Sequence, residues 1–535
     1  ARLRLLPPEQ LAERLDDRFR LLTGGARTAL PRQQTLRALI DWSYDHLNPA
    51  EQACFRQLGV FAGGWTLEAA EAVVNLRGVE STSTAATPDA KNLAGPDVFD
   101  PLANLVNKSL VVMDEKEGRA RFYFLETIRQ YARDRLFESG EGPDVRDRHL
   151  DFFGELVLEG ISLDSDITHL TLFSAMGSPE MLAWVARVRP DSDNVRVAIQ
   201  WALQTDAARA LAMAIKLAPF FVFEGVSLES RPWLEESLLA VEELDRTTSE
   251  FSPLREKLLL QGRLWKGNLQ LGEGHNVEAV ETLKGVIETA RRLGSSEQLA
   301  MALGLQSLAL SFLGRPEAYD IGAEGLAIMK ESGERSLQGL PLGSMLMAKI
   351  QEGDMETAKA LREEIKTLIA DSTFINALQI VTLARTASLS SDAEDAEILL
   401  KQARDMFDRF GSLNFHMMID SEIAHLRRHS GNDAMAAVIY RRTIRQWQDL
   451  GHRAAVANQL ETLAFIASHQ ERLNHAATLL GAAEALRERL DVDMLPDERT
   501  EYDAEVSALG VAMDPAALQE AWQAGRGLDL DSAVD

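Results

Sequence analysis

Six short turns recur at nearly equal spacing in the second half of the chain. The intervals between them are 40, 39, 38, 40 and 40 residues, and the turns lie at Gly274, Gly314, Gly353, Ser391, Gly431 and Glu471. Five residues after each turn come Ala279, Tyr319, Ala358, Ala396, Ala436 and Ala476. Four residues later come Leu283, Ala323, Arg362, Leu400, Tyr440 and Leu480. A small residue lets two helices approach closely, and an apolar residue one turn further on fills the gap between them. The pattern predicts a solenoid of stacked helix pairs, although its register is weak at Tyr319.

The repeat is longer than the about 34 residues of a regular tetratricopeptide repeat, so the helices are longer or the loops less tight. From about residue 145 onward no strand pattern is found. The sequence therefore predicts a mostly α protein, in which a small winged-helix domain with a β-hairpin precedes an α-solenoid of tetratricopeptide-like helix pairs.

The first 140 residues carry the pattern of that small domain. Helices are predicted at residues 9–22, 35–46, from Asn48-Pro49 to Gly63-Gly64, from Thr66 onward, and at 98–106. Two strands are predicted at 110–113 and 121–124, and a further helix at 125–138. A segment rich in Ser, Thr, Gly and Pro, residues 78–97, is predicted to be a loop.

These patterns divide the chain into five predicted segments. They are the end of a helical domain (1–40), the winged-helix domain (41–140), a helical arm leading into the repeats (141–254), the repeats (255–490) and a helical cap (491–535).

The net charge of −26 is distributed unevenly. Residues 1–150 contain 20 Lys and Arg against 22 Asp and Glu, whereas the remaining residues contain 36 against 60. A polyanionic surface repels nucleic acid and anionic lipid, so the composition argues against DNA or a membrane as the partner of the whole chain. The single cysteine, Cys54, excludes an intrachain disulfide and is most simply a core residue in a protein of the reducing cytoplasm.

Sequence motifs for catalysis are absent. The chain contains no Gly-x-x-x-x-Gly-Lys-Ser/Thr phosphate loop, no Gly-x-Gly-x-x-Gly, no Gly-x-Ser-x-Gly and no His-Glu-x-x-His. We therefore expect a chain that is not an enzyme and that holds no cofactor of its own.

Two groups of side chains were considered as metal sites. Glu422, His425 and His429 fall within two turns of one predicted helix face, but they stand near a helix C-terminus, where basic side chains are favoured without a metal. The second group is acidic and lacks the central glycine of a known calcium loop. An ordinary solvent-exposed loop that connects two helices is therefore the simpler interpretation. It consists of Asp491, Asp493, Asp497 and Glu498.

One basic patch stands out, formed by Arg129, Arg133 and Arg135 together with Arg146 and Arg148. In a winged-helix domain such a patch could contact phosphate or DNA. Acidic residues are interleaved with it, so ion pairing within the helix is the alternative explanation. We interpret the tryptophans of the long helical region as packing between helices, namely Trp184, Trp201, Trp233, Trp265 and Trp447.

Several long segments resemble one family in order and spacing. The segments are residues 14–37, 40–47, 61–71, 105–112 and 124–132, followed by Asp193-Asn194, Arg196 and Trp201, by residues 479–486, and by Glu501-Tyr502, Ala521-Trp522 and Gly525-Arg526. They resemble the part that follows the nucleotide-binding domain in bacterial STAND-type (NB-ARC-like) ATPase regulators, also labelled LuxR-, AfsR- or cyclase-linked transcriptional regulators.

The resemblance implies a regulatory arm. In such proteins an upstream NTPase domain binds ATP or ADP with magnesium, the winged helix packs on it in the resting state, and the repeats receive the signal. The segment that corresponds to the nucleotide-sensing Met-His-Asp motif reads Phe124-Leu125-Glu126, and leucine cannot make the hydrogen bond of histidine to phosphate.

The sequence is compatible with three functions. The preferred one is a non-catalytic, signal-sensing and autoinhibitory arm that binds a protein or small effector on the concave face of the repeats and controls the upstream NTPase. That face is expected from the first helices of the repeats, around residues 296–311, 336–350, 375–389, 414–428 and 453–467. The second is DNA binding through Arg129, Arg133 and Arg135, and the third is an enzyme hidden in the solenoid.

Overall fold

The structure, a computed structural model, describes most of the chain from residue 36 onward. The described residues are 36–77, 98–116, 118–159, 178–224, 227–248, 252–333, 335–368, 374–389, 393–410, 413–449, 452–490, 494 and 496–534. The predicted helix at 9–22, the loop at 78–97 and all but the end of the 14–37 segment lie outside them. The chain divides into two compact units, of which the first comprises residues up to Gly160 and Ala186–Asp206, and the second Ile161–Val185 and Ala207–Asp535.

The first unit begins with four helices. They are α1 (Leu36–Asp45), α2 (Pro49–Leu58), α3 (Leu67–Val73) and α4 (Phe99–Asn107). Asn48 begins α2 with a capping box, in which its side chain accepts from the Glu51 amide while the Glu51 carboxylate accepts from the Asn48 amide. Thr66 caps α3 in the same unit by accepting from the Ala69 amide. Local sequence thus sets where these helices start.

A three-stranded antiparallel sheet follows, consisting of β1 (Gly64–Trp65), β2 (Val112–Lys116) and β3 (Arg119–Tyr123) in the order β1-β3-β2. Strand β1 is not among the predicted elements, because two residues show no alternation and Gly63-Gly64 is predicted only as the end of a helix. In β1 Trp65 pairs with Phe122 of β3.

The predicted strand at 110–113 was wrong in its position. The amides of Leu110 and Val111 both donate to the Leu105 carbonyl, 3.0 and 3.3 Å away, and therefore close the end of α4. Both side chains are buried, so their apolar run marks packing against the core. Strand β2 therefore begins at Val112, and the charged residues Asp114, Glu115 and Lys116 extend it beyond the predicted end at Met113.

Three longer helices complete the first unit, namely α5 (Glu126–Ser139), α6 (Gly142–Leu158) and α8 (Ser192–Thr205). Between α6 and α8 the chain forms α7 (Pro179–Val188) and a 3-10 turn (Arg189–Asp191). An aromatic core lies among the elements of this unit. Its fully or almost fully buried rings are Phe55, Phe61, Trp65, Phe124, Tyr131 and Phe153. Cys54 is buried beside them, and burial raises the pKa of its thiol.

The described part of the second unit consists of helices. In chain order they are α9 (Ala207–Glu224), α10 (Ser227–Thr247), α11 (Pro253–Glu273), α12 (Asn276–Leu293), α13 (Ser296–Phe312), α14 (Glu317–Ser332), α15 (Gly339–Glu352), α16 (Met355–Leu368), α17 (Phe374–Leu389), α18 (Ala393–Phe410), α19 (Leu413–His429), α20 (Asp433–Asp449), α21 (Arg453–His469), α22 (Leu473–Leu490), α23 (Pro496–Ala512), α24 (Pro515–Arg526) and α25 (Leu530–Val534). The pairs from α11/α12 to α21/α22 form six repeats, numbered here from one to six.

The predicted small positions lie where two helices of a repeat meet. Ala279, Ala358, Ala396, Ala436 and Ala476 are all at most 3% exposed. In the second repeat the predicted residue, Tyr319, is one position out of register. The fully buried residue is Ala318, because α14 begins only after the Gly314-Arg315-Pro316 turn.

First and second helices differ in how they are buried. In the second helix α12 the buried residues form one face, whereas the first helix α13 buries residues all around its circumference. First helices of consecutive repeats contact one another from α11 to α19, and α9 also contacts α19. The first helices therefore pack on one another along the array, and α15 begins only after a 3-10 turn at Arg335–Leu337.

The last repeat is closed by α24, which packs against α22 at very short range. A Cβ at Gly481 would collide with the carbonyl oxygen of Trp522, and one at Gly525 with the carbonyl oxygen of Thr478. Only glycine permits this approach of two backbones.

The fold class predicted from the sequence is confirmed: the protein is mostly α, with a small domain that contains a β-hairpin and a helical-repeat solenoid. None of the described helices combines the length and the apolar character that a membrane crossing requires.

Candidate functional site

A cleft of the first unit has a volume of about 1050 Å³ and lies between α5, α6 and α8. Three arginines line it, Arg129, Arg133 and Arg146, together with the acidic residues Glu126 and Asp134. Its remaining lining is amide, apolar and aromatic, and includes Gln130, Phe137, Gln200, Trp201 and Gln204.

Of the three arginines predicted to contact phosphate, the structure brings two to this cleft. Arg129 is paired with Glu126 through two hydrogen bonds of 3.1 and 2.7 Å, as the alternative interpretation predicted. Arg133 is exposed and makes no ion pair with another described residue. Arg135 does not line the cleft.

Arg135 serves the packing of α1 against α5. Its guanidinium donates to Asp41 at 2.7 Å, to the Tyr131 hydroxyl at 2.8 Å and to Glu138 at 2.7 Å. Burial alone lowers the pKa of this group, but the hydrogen bonds and charges of Tyr131, Asp41 and Glu138 outweigh it and raise the pKa. An arginine with this many partners has little capacity left for a phosphate.

Trp201 and Arg146 form the opposite wall of the cleft. The guanidinium of Arg146 lies 5.0 Å from the centre of the Trp201 ring, and the indole nitrogen donates to Asp147 at 2.7 Å. Phe137 is 83% exposed at the rim, which is unusual for an aromatic side chain of a folded domain. The cleft thus combines basic side chains, of which Arg133 is exposed, with aromatic surface, and it suits a protein surface or an anionic group.

The Phe124-Leu125-Glu126 segment is divided between core and surface. Phe124 packs in the core with ring centres 5.1 Å from Trp65 and 5.2 Å from Phe55. Leu125 is 53% exposed at the start of α5, and Glu126 is held by Arg129. No hydrogen-bonding side chain stands at the middle position of the motif.

A buried junction, which sequence reasoning noted only as a resemblance, holds α8 against the sheet. The side chain of Asn194 accepts from the Ala62 amide and donates to the Gly64 carbonyl, each at 2.8 Å. Arg121 donates to the same carbonyl at 3.1 Å and to Asp191 at 2.7 Å. Asn194 is fully buried, so these bonds replace those that water would otherwise make.

His149 lies next to this junction on α6, between the rings of Phe61 and Phe153. Burial lowers its pKa to about 4, although a hydrogen bond with Asn194 acts in the opposite direction. The imidazole is therefore neutral at physiological pH.

The proposed metal ligands of α19 each have a different surrounding. Glu422 faces Arg385 at 3.5 Å, and His429 faces Glu501 at 3.5 Å. His425 stacks edge-on against Tyr440, and burial together with Arg385 and Arg428 lowers its pKa to about 3.

Within the described part of the chain, no three His, Cys, Asp or Glu side chains are grouped so that they could hold a metal ion. In the acidic cluster near residue 491, Asp491, Asp493 and the side chain of Asp497 lie outside the described residues. Glu498 pairs with Arg385.

The second unit presents a basic row at the C-terminal ends of three consecutive first helices. The basic row consists of Arg385 on α17, Arg428 and His429 on α19, and His469 on α21. Carboxylates of α23 face it: Glu498 lies 3.5 Å from Arg385, Glu501 2.6 Å from Arg428, and Glu505 3.0 Å from His469. No sequence signal pointed to this row, because its members are about 40 residues apart and their alignment depends on how the repeats stack.

A second, smaller cleft of about 690 Å³ lies beside α16 and α18. Its charged residues are of both signs, and Arg362 pairs with Asp395 inside it. The pairing leaves the site without a clear preference for one class of ligand.

Comparison with known proteins identifies relatives but no family model, since none matches the chain. A protein of Mycobacterium tuberculosis named "Putative HTH-type transcriptional regulator" is 26% identical over an alignment of 654 positions, which covers 100% of this chain and 70% of the relative. Its counterpart in Mycobacterium bovis matches equally. An uncharacterized protein of Mycobacterium tuberculosis is 36% identical over 149 residues, or 28% of this chain and 35% of that protein. The whole-length relatives are thus named as transcriptional regulators.

Solved structures match the chain at lower identity. The STAND protein with a tetratricopeptide repeat sensor from Pyrococcus horikoshii has a TM-score of 0.37 at 15% identity and covers 98% of this chain and 72% of that chain. The Rap protein complexed with competence and sporulation factor has a TM-score of 0.42 at 12% identity, over 68% of this chain and 96% of that chain.

Proposed function

We propose that the chain is the non-catalytic, signal-sensing arm of a STAND-type ATPase transcriptional regulator that works in the cytoplasm. In this proposal the first unit is a winged-helix domain that restrains an upstream NTPase domain, and the repeats bind a protein or small effector. ATP or ADP with magnesium would be held by the NTPase domain, because this chain has no phosphate loop.

One observation carries the proposal: the whole chain aligns with relatives named as transcriptional regulators, and 30% of each relative lies outside the alignment. The rest of a regulator can therefore hold functions that this chain lacks. The helical repeats support the sensing role, since arrays of helix pairs offer extended surfaces to partners.

The winged-helix assignment is supported by element order. Helix α2, strand β1, helices α3 and α4 and the β2–β3 hairpin follow one another, with β3 in the middle of the sheet. This order is compatible with a helix-turn-helix core followed by a hairpin wing, and it supports that part of the proposal.

The proposed mechanism is a shift between two populations of the complete regulator. In the resting population the first unit, through its basic and aromatic cleft, packs against the NTPase domain. An effector that binds the repeats more tightly in the open arrangement favours that arrangement, by an amount set by its difference in affinity. The exposed Phe137 and the free Arg133 would be contacts of the resting state.

The first test concerns catalysis and nucleotide binding. Thermal unfolding of this chain is measured with and without millimolar ATP or ADP and magnesium, alongside phosphate release. We expect an unchanged melting temperature and phosphate release at the level of buffer, since only a ligand of the native state raises the melting temperature. A clear rise with either nucleotide would contradict the proposal.

The second test concerns regulation. In the full-length relative of Mycobacterium tuberculosis, deletion of the region aligned with residues 253–534 is compared with the intact protein for nucleotide turnover and for reporter transcription. We expect the deletion to release turnover from control by the effector. Unchanged turnover and transcription would show that the repeats are not a sensing arm.

DNA binding by the first unit is the alternative, favoured by one feature, the exposed Arg133 beside Arg146 in the cleft. A mobility-shift assay at about 50 mM salt tests it, because electrostatic binding to phosphate is strongest at low salt. Binding that Arg133→Ala abolishes and Arg196→Ala leaves intact would support this alternative.

A further inference from the structure

Helix α23 is attached to the repeats differently from α24. The backbones of α24 and α22 touch through Gly481 and Gly525, as described above. In α23 the residues that face the repeats include Glu498, Glu501 and Glu505, the buried Tyr502 and Leu509, and the partly buried Val506. One face of α23 is therefore held by three long charged side chains as well as by apolar contacts.

The three glutamates of α23 reach basic residues on three different first helices. Positions i, i+3 and i+7 lie on one side of a helix, and seven residues span about 10 Å along its axis. Each glutamate meets a different first helix, in the order α17, α19 and α21, and Glu498 also lies 3.8 Å from Arg487 of α22. The basic row thus places two arginines and two histidines opposite three carboxylates of α23, and an acidic helix is the ligand whose geometry fits it.

The central contact is the most enclosed one. The side chain of Arg428 is 4% exposed, and it donates to Glu501 at 2.6 Å. Burial by itself would raise the pKa of Glu501, but hydrogen bonds from His429 and Arg428 and their charge lower it to about 2. A carboxylate at this position is therefore ionised, and Arg428 binds it more strongly than it would bind a neutral side chain.

We propose that the basic row is a binding site for an acidic amphipathic helix of a protein partner, and that α23 occupies this site in cis as a displaceable competitor. The expected partner sequence has Glu at i, i+3 and i+7, an aromatic residue at i+4 and an apolar residue at i+11. These are the positions of Glu498, Glu501, Glu505, Tyr502 and Leu509 in α23. The inference rests on the proposed function, since it names the class of effector that the repeats would bind.

The experiment measures binding of a fluorescent peptide with the sequence of residues 494–512 to the full chain. Wild type is compared with the triple variant Glu498→Lys, Glu501→Lys, Glu505→Lys, in which α23 is repelled from the basic row. We expect the triple variant to bind the peptide at least about tenfold more tightly than wild type, because its site is no longer occupied in cis. Binding to neither protein, or equal binding to both, would overturn the proposal.

Matched controls identify the site. In the triple-variant background, Arg428→Ala should weaken peptide binding about tenfold or more, as expected when one partner of an enclosed charge pair is removed. Arg427→Ala should leave it unchanged, because Arg427 pairs with Glu397 of α18 and not with α23. Equal effects of the two substitutions would overturn the assignment. A scrambled peptide of the same charge that binds as tightly would show a general polyanion site and also overturn it.

Hydrogen exchange in the unmodified protein keeps the proposal testable if the variants fold poorly. The amides of α23 should exchange faster than those of α22 and α24, and faster still at high salt, which screens ion pairs at the surface. Protection of α23 equal to that of α22 at all salt concentrations would exclude a displaceable helix. Since neither assay involves transcription, failure here would leave the role as a regulatory arm intact.

Discussion

At the scale of single residues, the turn between the helices of a repeat shows what the backbone requires. Gly274, Gly314, Gly353 and Gly431 have φ between +65° and +86°, a conformation that glycine adopts without strain. The sixth repeat has Glu471 at the same place, with a φ of +61°. A residue with a Cβ at this φ lowers the stability of the fold by about 1 kcal/mol relative to glycine.

We therefore expect Glu471→Gly to stabilise the protein by about 1 kcal/mol, because the substitution relieves the left-handed backbone. The midpoint of urea unfolding measures the change. The matched control is Gly431→Ala, which meets open space at its Cβ and should destabilise through the backbone alone by a similar amount. A lower midpoint for Glu471→Gly would show that its side chain makes a contact that matters more than the strain.

His149 is the second residue with a specific consequence. Its folded pKa of about 4 lies below the ordinary value of about 6.5, so the unfolded chain takes up a proton first as the pH falls. Stability from the neutral imidazole is present above pH of about 6.5 and is lost as the pH falls toward 4.

Between pH 7 and pH 5 we expect this histidine to cost the native state roughly 2 kcal/mol. In His149→Phe the ring is retained between Phe61 and Phe153 but cannot be protonated, so this part of the pH dependence should vanish. The measurement is the unfolding free energy of both proteins at the two pH values. Equal slopes for the two proteins would show that His149 is accessible to protons in the folded state.

At the scale of elements, the first unit depends on a joint between distant parts of the chain. Helix α8 is separated from β1 by more than a hundred residues, yet Asn194 and Asp191 tie it to the 62–64 segment and to Arg121. The side chain of Asn194 replaces two backbone partners that a regular sheet would have supplied.

Removal of this amide should therefore be costly. We expect Asn194→Ala to destabilise the first unit by about 2–3 kcal/mol, because the Ala62 amide and the Gly64 carbonyl each lose their bond to Asn194 in the interior. Thermal unfolding detects the change. Arg196→Ala, which lies on the same helix with a partly exposed side chain, should have an effect below about 0.5 kcal/mol. An equal loss of melting temperature in the two variants would show that the hydrogen bonds of Asn194 contribute no more to stability than an exposed side chain does.

At the scale of the whole molecule, the chain forms two compact units, each with its own core. The second unit contains a buried charge pair between α21 and α22, in which Arg487 donates to Glu461 at 2.6 and 2.8 Å. Burial raises the pKa of Glu461, and the bonds to Arg487 act against it. Loss of either partner leaves a charge in the interior.

Calorimetry of the intact chain should resolve more than one unfolding transition, since separate cores need not unfold together. We expect Arg487→Met to lower one transition, consistent with a cost of about 3–5 kcal/mol for an unpaired buried carboxylate, and Asn194→Ala to lower another. The double substitution Glu461→Leu, Arg487→Met should recover most of the loss. A single transition that both variants lower equally would mean that the units unfold as one.

The sequence by itself determined the helical character, the repeat and the separate small domain. The repeat could be predicted from the sequence because small residues such as Ala279 and Ala436 recur where two helices cross closely, and turn glycines recur with them. Helix starts were equally local, since Asn48 and Thr66 act on amides three residues away.

The tertiary structure alone decided where side chains from distant segments meet. It placed Arg135 inside the packing of α1 and α5 and left Arg133 in the cleft, although both look alike in the sequence. It also formed β1 from two residues that have no strand pattern, and it aligned Arg385, Arg428 and His469 into the basic row. Local patterns record the requirements of a single helix or turn, whereas a site depends on how the elements stack, and no short stretch of sequence encodes that.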